Sequence, residues 1–423
     1  MNINLAYGRS GLAITLLERQ IEVLEPQFVN GLADELRAIQ EALRSPIGTA
    51  PLVELVKPGD TVVIVHTDIT RATPNDRILP VILHELESAG INRGDICLLN
   101  GLGTHRPQTQ NELRLMLGDQ IVDNYRCLQH DCFDEANLLA LDRSPLGNPV
   151  RINRAYLEAD VRILTGFIEP HFFAGFSGGP KAIVPSLAGG ECVFTNHGYE
   201  MISHPNASWG ITEGNPIWEE MRDIALRTKP TFLVNVALNA SREISGVFAG
   251  EMLKAHDQGC AFVKETAMVR VDEPYDIVIT TNSGYPLDQN LYQSVKGMSA
   301  ACQIVRQGGA IIIAAACEDG LPDHGCYAEL LLQGGSPQGV LDMVSQPGFR
   351  AQDQWQVQIQ AQIQLHAQVL VYSDGLTDEQ IRDALLLPCG DIEQSVEKLR
   401  VNYGSQARIC ILPEGPQTIP YLR

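Results

Sequence analysis

Three histidines and one lysine in this 423-residue chain stand where side chains can do acid/base or covalent chemistry: His105, His171, Lys181 and His197. His105 sits in the turn NGLGTHRP (100–107), where Gly101 and Gly103 let the backbone bend sharply and approach a ligand. His171, Lys181 and His197 fall inside one glycine-dense stretch, TGFIEPHFFAGFSGGPKAIVPSLAGGECVFTNHG (165–198). Glycine at that density is costly in chain entropy, and points to positive φ or to close backbone approach. Imidazole titrates near neutrality, so His105 and His171 suit a general acid and base, and His197 suits a soft or borderline metal. A lone histidine after a strand is structural about as often as functional, so it is the grouping that carries weight.

Lys181 follows Gly178-Gly179-Pro180 and precedes an apolar run expected to start a helix. It has the look of a phosphate-loop lysine, but Pro180 and Ala182 stand where that motif needs Gly and then Ser or Thr. ATP binding is therefore disfavoured, and covalent attachment or a buried cation fits such a lysine better. Two more polar groups follow apolar runs. The first, His66-Thr67-Asp68-Ile69-Thr70-Arg71, reads by itself as a loop with a helix-capping aspartate and a surface arginine. In the second, NSGYPLDQNLYQSVKGM (282–298), a helix starting near Asp288 puts Tyr292, Gln293 and Lys296 on one face. No HExxH, no CxxC and no two-histidine, one-carboxylate spacing accompanies them, so the protein itself offers few metal ligands.

The segments that must position these residues alternate between strand-like and helix-like. TVVIVH (61–66), ICLLN (96–100), VRILTG (161–166) and TFLVNVAL (231–238) read as buried strands, with amphipathic helices over 31–44 and 77–89. A second series comprises YDIVITT (275–281), AIIIAAA (310–316), QVLVYS (368–373) and ARICIL (407–412). Such alternation predicts two α/β domains with largely parallel sheets, 1–270 and 274–412, divided near TAMVRVDEP (266–274) after a helix over 251–265. Parallel sheets hold ligands at the carboxyl ends of their strands, where all four polar groups fall. The tail 413–423 has the room to return and pack on the first domain. The glutamine-rich QDQWQVQIQAQIQL (352–365) reads as an ordinary amphipathic helix.

A formal charge of -20 argues against nucleic acid, which needs clustered Lys and Arg. An anionic substrate would then require a local positive patch. The ten cysteines are scattered without a CxxC pair, as in reduced thiols rather than a disulfide framework or zinc site. The start MNINLAYGRSG lacks a signal-peptide pattern, and no apolar run reaches membrane-spanning length. A cytoplasmic protein with no membrane association is expected.

HTDITRATP, GLGTHRP, EPHFFAGFSGGPK, TNHG and LYQSVKG, in this order and spacing, resemble the nickel-dependent lactate racemase family over essentially the whole chain. The resemblance implies two α/β domains with the active site in the interdomain cleft. It also implies a nickel-pincer nucleotide, the nickel complex of pyridinium-3-thioamide-5-thiocarboxylic acid mononucleotide, supplied by dedicated cofactor-maturation enzymes. Residue by residue, Lys181 matches the lysine joined to that cofactor through a thioamide, and His197 the histidine that completes nickel coordination. His105 and His171 match the acid/base pair, while Arg71 and Lys296 match the cations that hold the substrate carboxylate. Asp68, Tyr292 and Gln293 match neighbours of substrate and cofactor, and Trp355 resembles a tryptophan that closes over the site. The implied reaction racemises or epimerises a small, lactate-like 2-hydroxy acid by moving hydride from Cα to the cofactor, through a 2-keto acid. Here Ala72 follows Arg71 and proline comes only at 74, where the family often has proline directly after the arginine. Phe172, Phe173 and Phe176 would give His171 an apolar wall, hinting at an uncharged substrate side chain. Two other readings stand beside this one: a pyridoxal-phosphate-type enzyme with Lys181 as its Schiff-base lysine, and a non-catalytic carboxylate-binding homologue.

Overall fold

The computed structural model describes residues 1–17, 20–27, 29–322 and 325–422. The chain divides into two compact units, one of Phe28–Asn196 with His204–Lys264, the other of Met1–Gln27, His197–Ser203 and Glu265–Arg423. The first contains Lys181 and is called the lysine unit below; the second is the carboxy-terminal unit.

The lysine unit is built on a six-stranded sheet. Its order is Ile244–Gly250, Phe232–Leu238, Val161–Phe167, Val62–Thr67, Ile96–Gly101 and Arg126–Gln129, and every pairing is parallel except that of the first two strands. Four of these strands lie within a residue of where their β-branched, apolar runs predict them. Residues 62, 64, 96, 98, 161, 163, 232 and 234 put Val, Ile, Leu and Phe on one face of the sheet, and Ile39, Leu43, Ile78, Ile82 and Leu86 pack over them from two helices. Each such side chain contributes about 1.5–3 kcal/mol relative to exposure, so this face fixes the sheet's position under its loops. Helix Glu35–Arg44 starts where Asp34 accepts the Arg37 amide, and helix Asn75–Ser88 follows the loop that carries Asp68 and Arg71.

The carboxy-terminal unit has its own six-stranded sheet, parallel throughout, in the order Leu387–Pro388, Gln368–Tyr372, Val305–Ala314, Tyr275–Thr281, Ile409–Leu412 and Ile21–Val23. Its core gathers Ile277, Ile279, Ala310, Ile312, Ile409 and Ile411 with Leu5, Ile14 and Leu16 from an amino-terminal hairpin.

The packing departs from the expected consecutive domains in two places. Ile21–Val23 pairs with Ile409–Leu412, which draws the first residues of the chain into the carboxy-terminal unit. His197–Ser203 packs with that unit as well. The tail strand Ile419–Leu422 pairs in parallel with Met268–Val271 inside the same unit, where Pro413 O also accepts the Ala6 amide at 2.8 Å. All ten cysteines are free. No helix among the described residues is long and apolar enough to cross a membrane.

Candidate active site

In the lysine unit the strand order reverses beside Val62–Thr67. The next strand in sequence lies on one side of it, and Val161–Phe167 on the other. Loops leaving the carboxyl ends of such a pair diverge and open a crevice. Asp68 and Arg71 leave the first of these strands, His105 leaves its neighbour Ile96–Gly101, and the loop bearing His171 and Lys181 leaves Val161–Phe167.

Asp68 is buried, and its Oδ1 accepts the Thr70 amide at 3.1 Å and the Thr70 hydroxyl at 2.6 Å. Its Oδ2 accepts from His105 Nδ1. Burial pushes the Asp68 carboxyl up, but the His105 hydrogen bond and charge, with help from Arg71 and Thr70, outweigh it and bring it down to about 2. A carboxylate can only accept, so His105 carries its proton on Nδ1 and presents Nε2 as the base. Arg71 is half-buried, and its amide donates to Asp68 O at 3.2 Å.

His171 is buried between Phe172 and Phe173, with ring centroids 4.9 and 4.5 Å from its own. Phe176 is buried too. The expected apolar wall thus exists, with two of its three rings in contact with the imidazole. His171 Nδ1 faces the Ala174 amide at 3.3 Å, and Nε2 lies 3.2 Å from Lys181 Nζ.

Lys181 does not begin a helix as expected. It lies in a single 3-10 turn, Gly179–Ala182, and the following run is broken by Pro185; the next α-helix is Gly190–Asn196. Gly178 and Gly179 have φ of +75° and +52°, and a Cβ would come within 2.5 Å of Asn235 Oδ1 and of the His256 ring, respectively. The turn therefore rests on two fully buried polar residues. Asn235 Oδ1 accepts the Gly179 amide at 2.8 Å, and His256 Nε2 lies 3.0 Å from Ser177 O. Sequence reasoning passed over both. Asn235 is a polar residue in the middle of an apolar strand, a usable signal, whereas His256 looks like any histidine on a long helix.

The remaining expected residues lie in the carboxy-terminal unit. Helix Leu291–Cys302 begins at Asn290, whose side chain accepts the Gln293 amide. Tyr292, Gln293 and Lys296 are half-buried along its first turns. Trp355 Nε1 donates to Tyr292 OH at 3.3 Å, and its ring meets that of buried His197 edge-on, 5.6 Å between centroids. The structure thus brings Asp68 together with His105, His171 with Lys181, and both His197 and Tyr292 with Trp355. Among the described residues no three His, Cys, Asp or Glu side chains are grouped to hold a metal.

Fold and site are those of the α/β class, with an aspartate-anchored histidine and a glycine-cradled lysine at the strand ends of one largely parallel sheet. Comparison with known proteins narrows the class. The lactate racemase N-terminal domain family matches residues 7–210, and the lactate racemase C-terminal domain family matches residues 271–419. The chain is 36% identical over 425 residues to the lactate racemase of Thermoanaerobacterium thermosaccharolyticum, covering 99% of each. It is 37% identical over 383 residues to that of Lactiplantibacillus plantarum, covering 90% of each. The solved lactate racemase apoprotein from T. thermosaccharolyticum superposes with a TM-score of 0.93, covering 99% of this chain and all of that one. A Thermotoga maritima protein of 20% identity shares the fold with a TM-score of 0.70. The chain belongs to the lactate racemase family and is a racemase of the isomerase class.

Proposed function

We propose that the chain racemises a small, lactate-like 2-hydroxy acid with a nickel-pincer nucleotide tethered to Lys181. The observation that carries this reading is that the Asp68–His105 pair and the His171–Lys181 pair stand at the strand ends of one sheet, in a chain of this family. The residues suit the group: a lysine on a turn whose glycines, Gly178 and Gly179, leave no room for a Cβ, and a buried imidazole against Trp355. Lys181 would carry the covalent link and His197 one coordination position. When bound, the cofactor supplies the acceptor for the hydrogen at Cα, which is too weakly acidic for ordinary deprotonation.

The protein's own residues would do the rest. His105 Nε2 takes the hydroxyl proton from one enantiomer and His171 from the other, because the two hydroxyls point in different directions. Asp68 holds His105 in the tautomer that has Nε2 free of hydrogen and stabilises the imidazolium that forms. Phe172 and Phe173 keep water from His171, and a reactive 2-keto acid needs that protection. Arg71 would grip the carboxylate through two parallel hydrogen bonds and Lys296 as a point charge, supplying the positive patch an acidic protein needs for an anion. Protein co-produced with the cofactor-making enzymes, incubated with single enantiomers of several 2-hydroxy acids and read on a chiral column, tests this. Interconversion by loaded and not by unloaded protein is expected; no interconversion of any acid by nickel-replete protein would refute it.

A further inference from the structure

The glutamine-rich segment is not the amphipathic helix its spacing predicts. Helix Gln354–His366 is buried without a break from Gln354 to Ala361, and Gln354, Gln356, Gln358 and Gln360 are at most 3% exposed. Burying four amides costs several kcal/mol unless each is hydrogen-bonded, so their partners matter.

Residues four apart share a helix face, and residues two apart lie on nearly opposite sides. The glutamines use both. On one face Gln354 Nε2 donates to His197 O at 3.3 Å, and Gln358 Nε2 to Tyr199 O and Ser203 Oγ, each at 2.9 Å. On the other, Gln356 donates to Tyr292 O, and Gln360 donates to Ala384 O at 2.8 Å and accepts from Tyr327 OH. The segment so held, His197–Ser203, contains only the single helical turn Tyr199–Ile202, far too short to be stable unaided. It packs with the carboxy-terminal unit although the residues on both sides of it belong to the lysine unit.

We infer that Gln354 and Gln358 are positioning residues that fix the backbone of His197, and so the direction in which its imidazole meets a metal, while Gln356 sets Tyr292 from the opposite face. The inference rests on the proposed role of His197. The same helix thereby orients a metal-ligating residue and a substrate neighbour.

Gln354→Met and Gln358→Met keep the length and packing of the side chain and remove its donor. Gln360→Met, on the opposite face, serves as the control. In protein without cofactor, deuterium exchange over 197–203 should rise about tenfold in the first two variants, as expected for the loss of one or two hydrogen bonds, and stay at the wild-type rate in the third. In loaded protein, loss of nickel to a chelator should accelerate by a similar factor in the same two variants only. Ser203→Ala, which removes one partner of Gln358 without placing an apolar group on the helix, should give a smaller effect of the same kind. Wild-type exchange and nickel loss in Gln354→Met and Gln358→Met, or equal effects in all variants, would overturn the inference. A His197→Ala variant that holds nickel as tightly as wild type would instead refute the role of His197 itself.

Discussion

Lys181 Nζ lies 3.2 Å from His171 Nε2, while the Ala174 amide faces His171 Nδ1 at 3.3 Å. The residue assigned to hold the cofactor and one assigned to move a substrate proton are therefore neighbours, and mutation separates them. Lys181→Ala should leave no covalent adduct in the intact mass. His171→Ala should retain the adduct and lose turnover by about 10²–10⁴, the usual worth of a general acid or base. An adduct on Lys181→Ala protein would reassign the tether.

Asp68→Asn should lower kcat by about 10²–10⁴ with little change in KM, since it removes the group that fixes the His105 tautomer rather than one that binds substrate. Steady-state kinetics in both directions would check this. A rise in KM alone would mean that Asp68 serves binding.

Acid stability should show two windows. His66 is completely buried, and burial holds it down at about 4 against an ordinary 6.5. His130 and His256 are lowered by the same cause. Between pH 6.5 and 4 the folded chain binds fewer protons than the unfolded one, so stability falls as the pH is lowered, by roughly 3 kcal/mol for His66 at most. Asp68, held at about 2 against 3.8, adds stability that is present above pH 3.8 and lost only as the pH falls toward 2. Denaturant midpoints measured from pH 8 to 4 should therefore decline below 6.5. His66→Asn, which can keep the bond to Thr67 O without titrating, should flatten part of that decline. A level profile down to pH 4 would contradict the burial assigned to these histidines.

Gly179→Ala should be disproportionately harmful for one methyl group. Its φ of +52° disfavours a side chain, and the new Cβ would lie 2.5 Å from the His256 ring, which is boxed in by Trp218, Cys260 and Ser177 O. A loss of about 2 kcal/mol or more in unfolding free energy is expected, with less cofactor attached at Lys181. Thermal melting and intact mass would read the two effects separately.

The sequence carries the strands of both sheets well, because their apolar runs are local signals: Tyr275–Thr281 lies where YDIVITT places it. It also puts Asp68, Arg71, His105, His171 and Lys181 in the loops that follow those strands, where the structure has them. Partners far along the chain are another matter. Nothing in IEV (21–23) announces that it will pair with Ile409–Leu412, since pairing depends on residues nearly four hundred positions away. The helix over 354–366 misleads for a related reason: glutamine reads as a solvent-facing residue until its carbonyl partners, His197 O and Tyr199 O, are in view. Lys181 misleads through its glycines, which predict close approach but not the 3-10 turn that Asn235 imposes.

The most direct test follows the hydrogen at Cα. Loaded protein given one enantiomer of lactate deuterated at C2, in ordinary water, should form the other enantiomer with its deuterium retained, as the proposed hydride transfer requires. Formation of the other enantiomer with deuterium replaced by solvent protium would show proton abstraction instead, and would contradict the central claim.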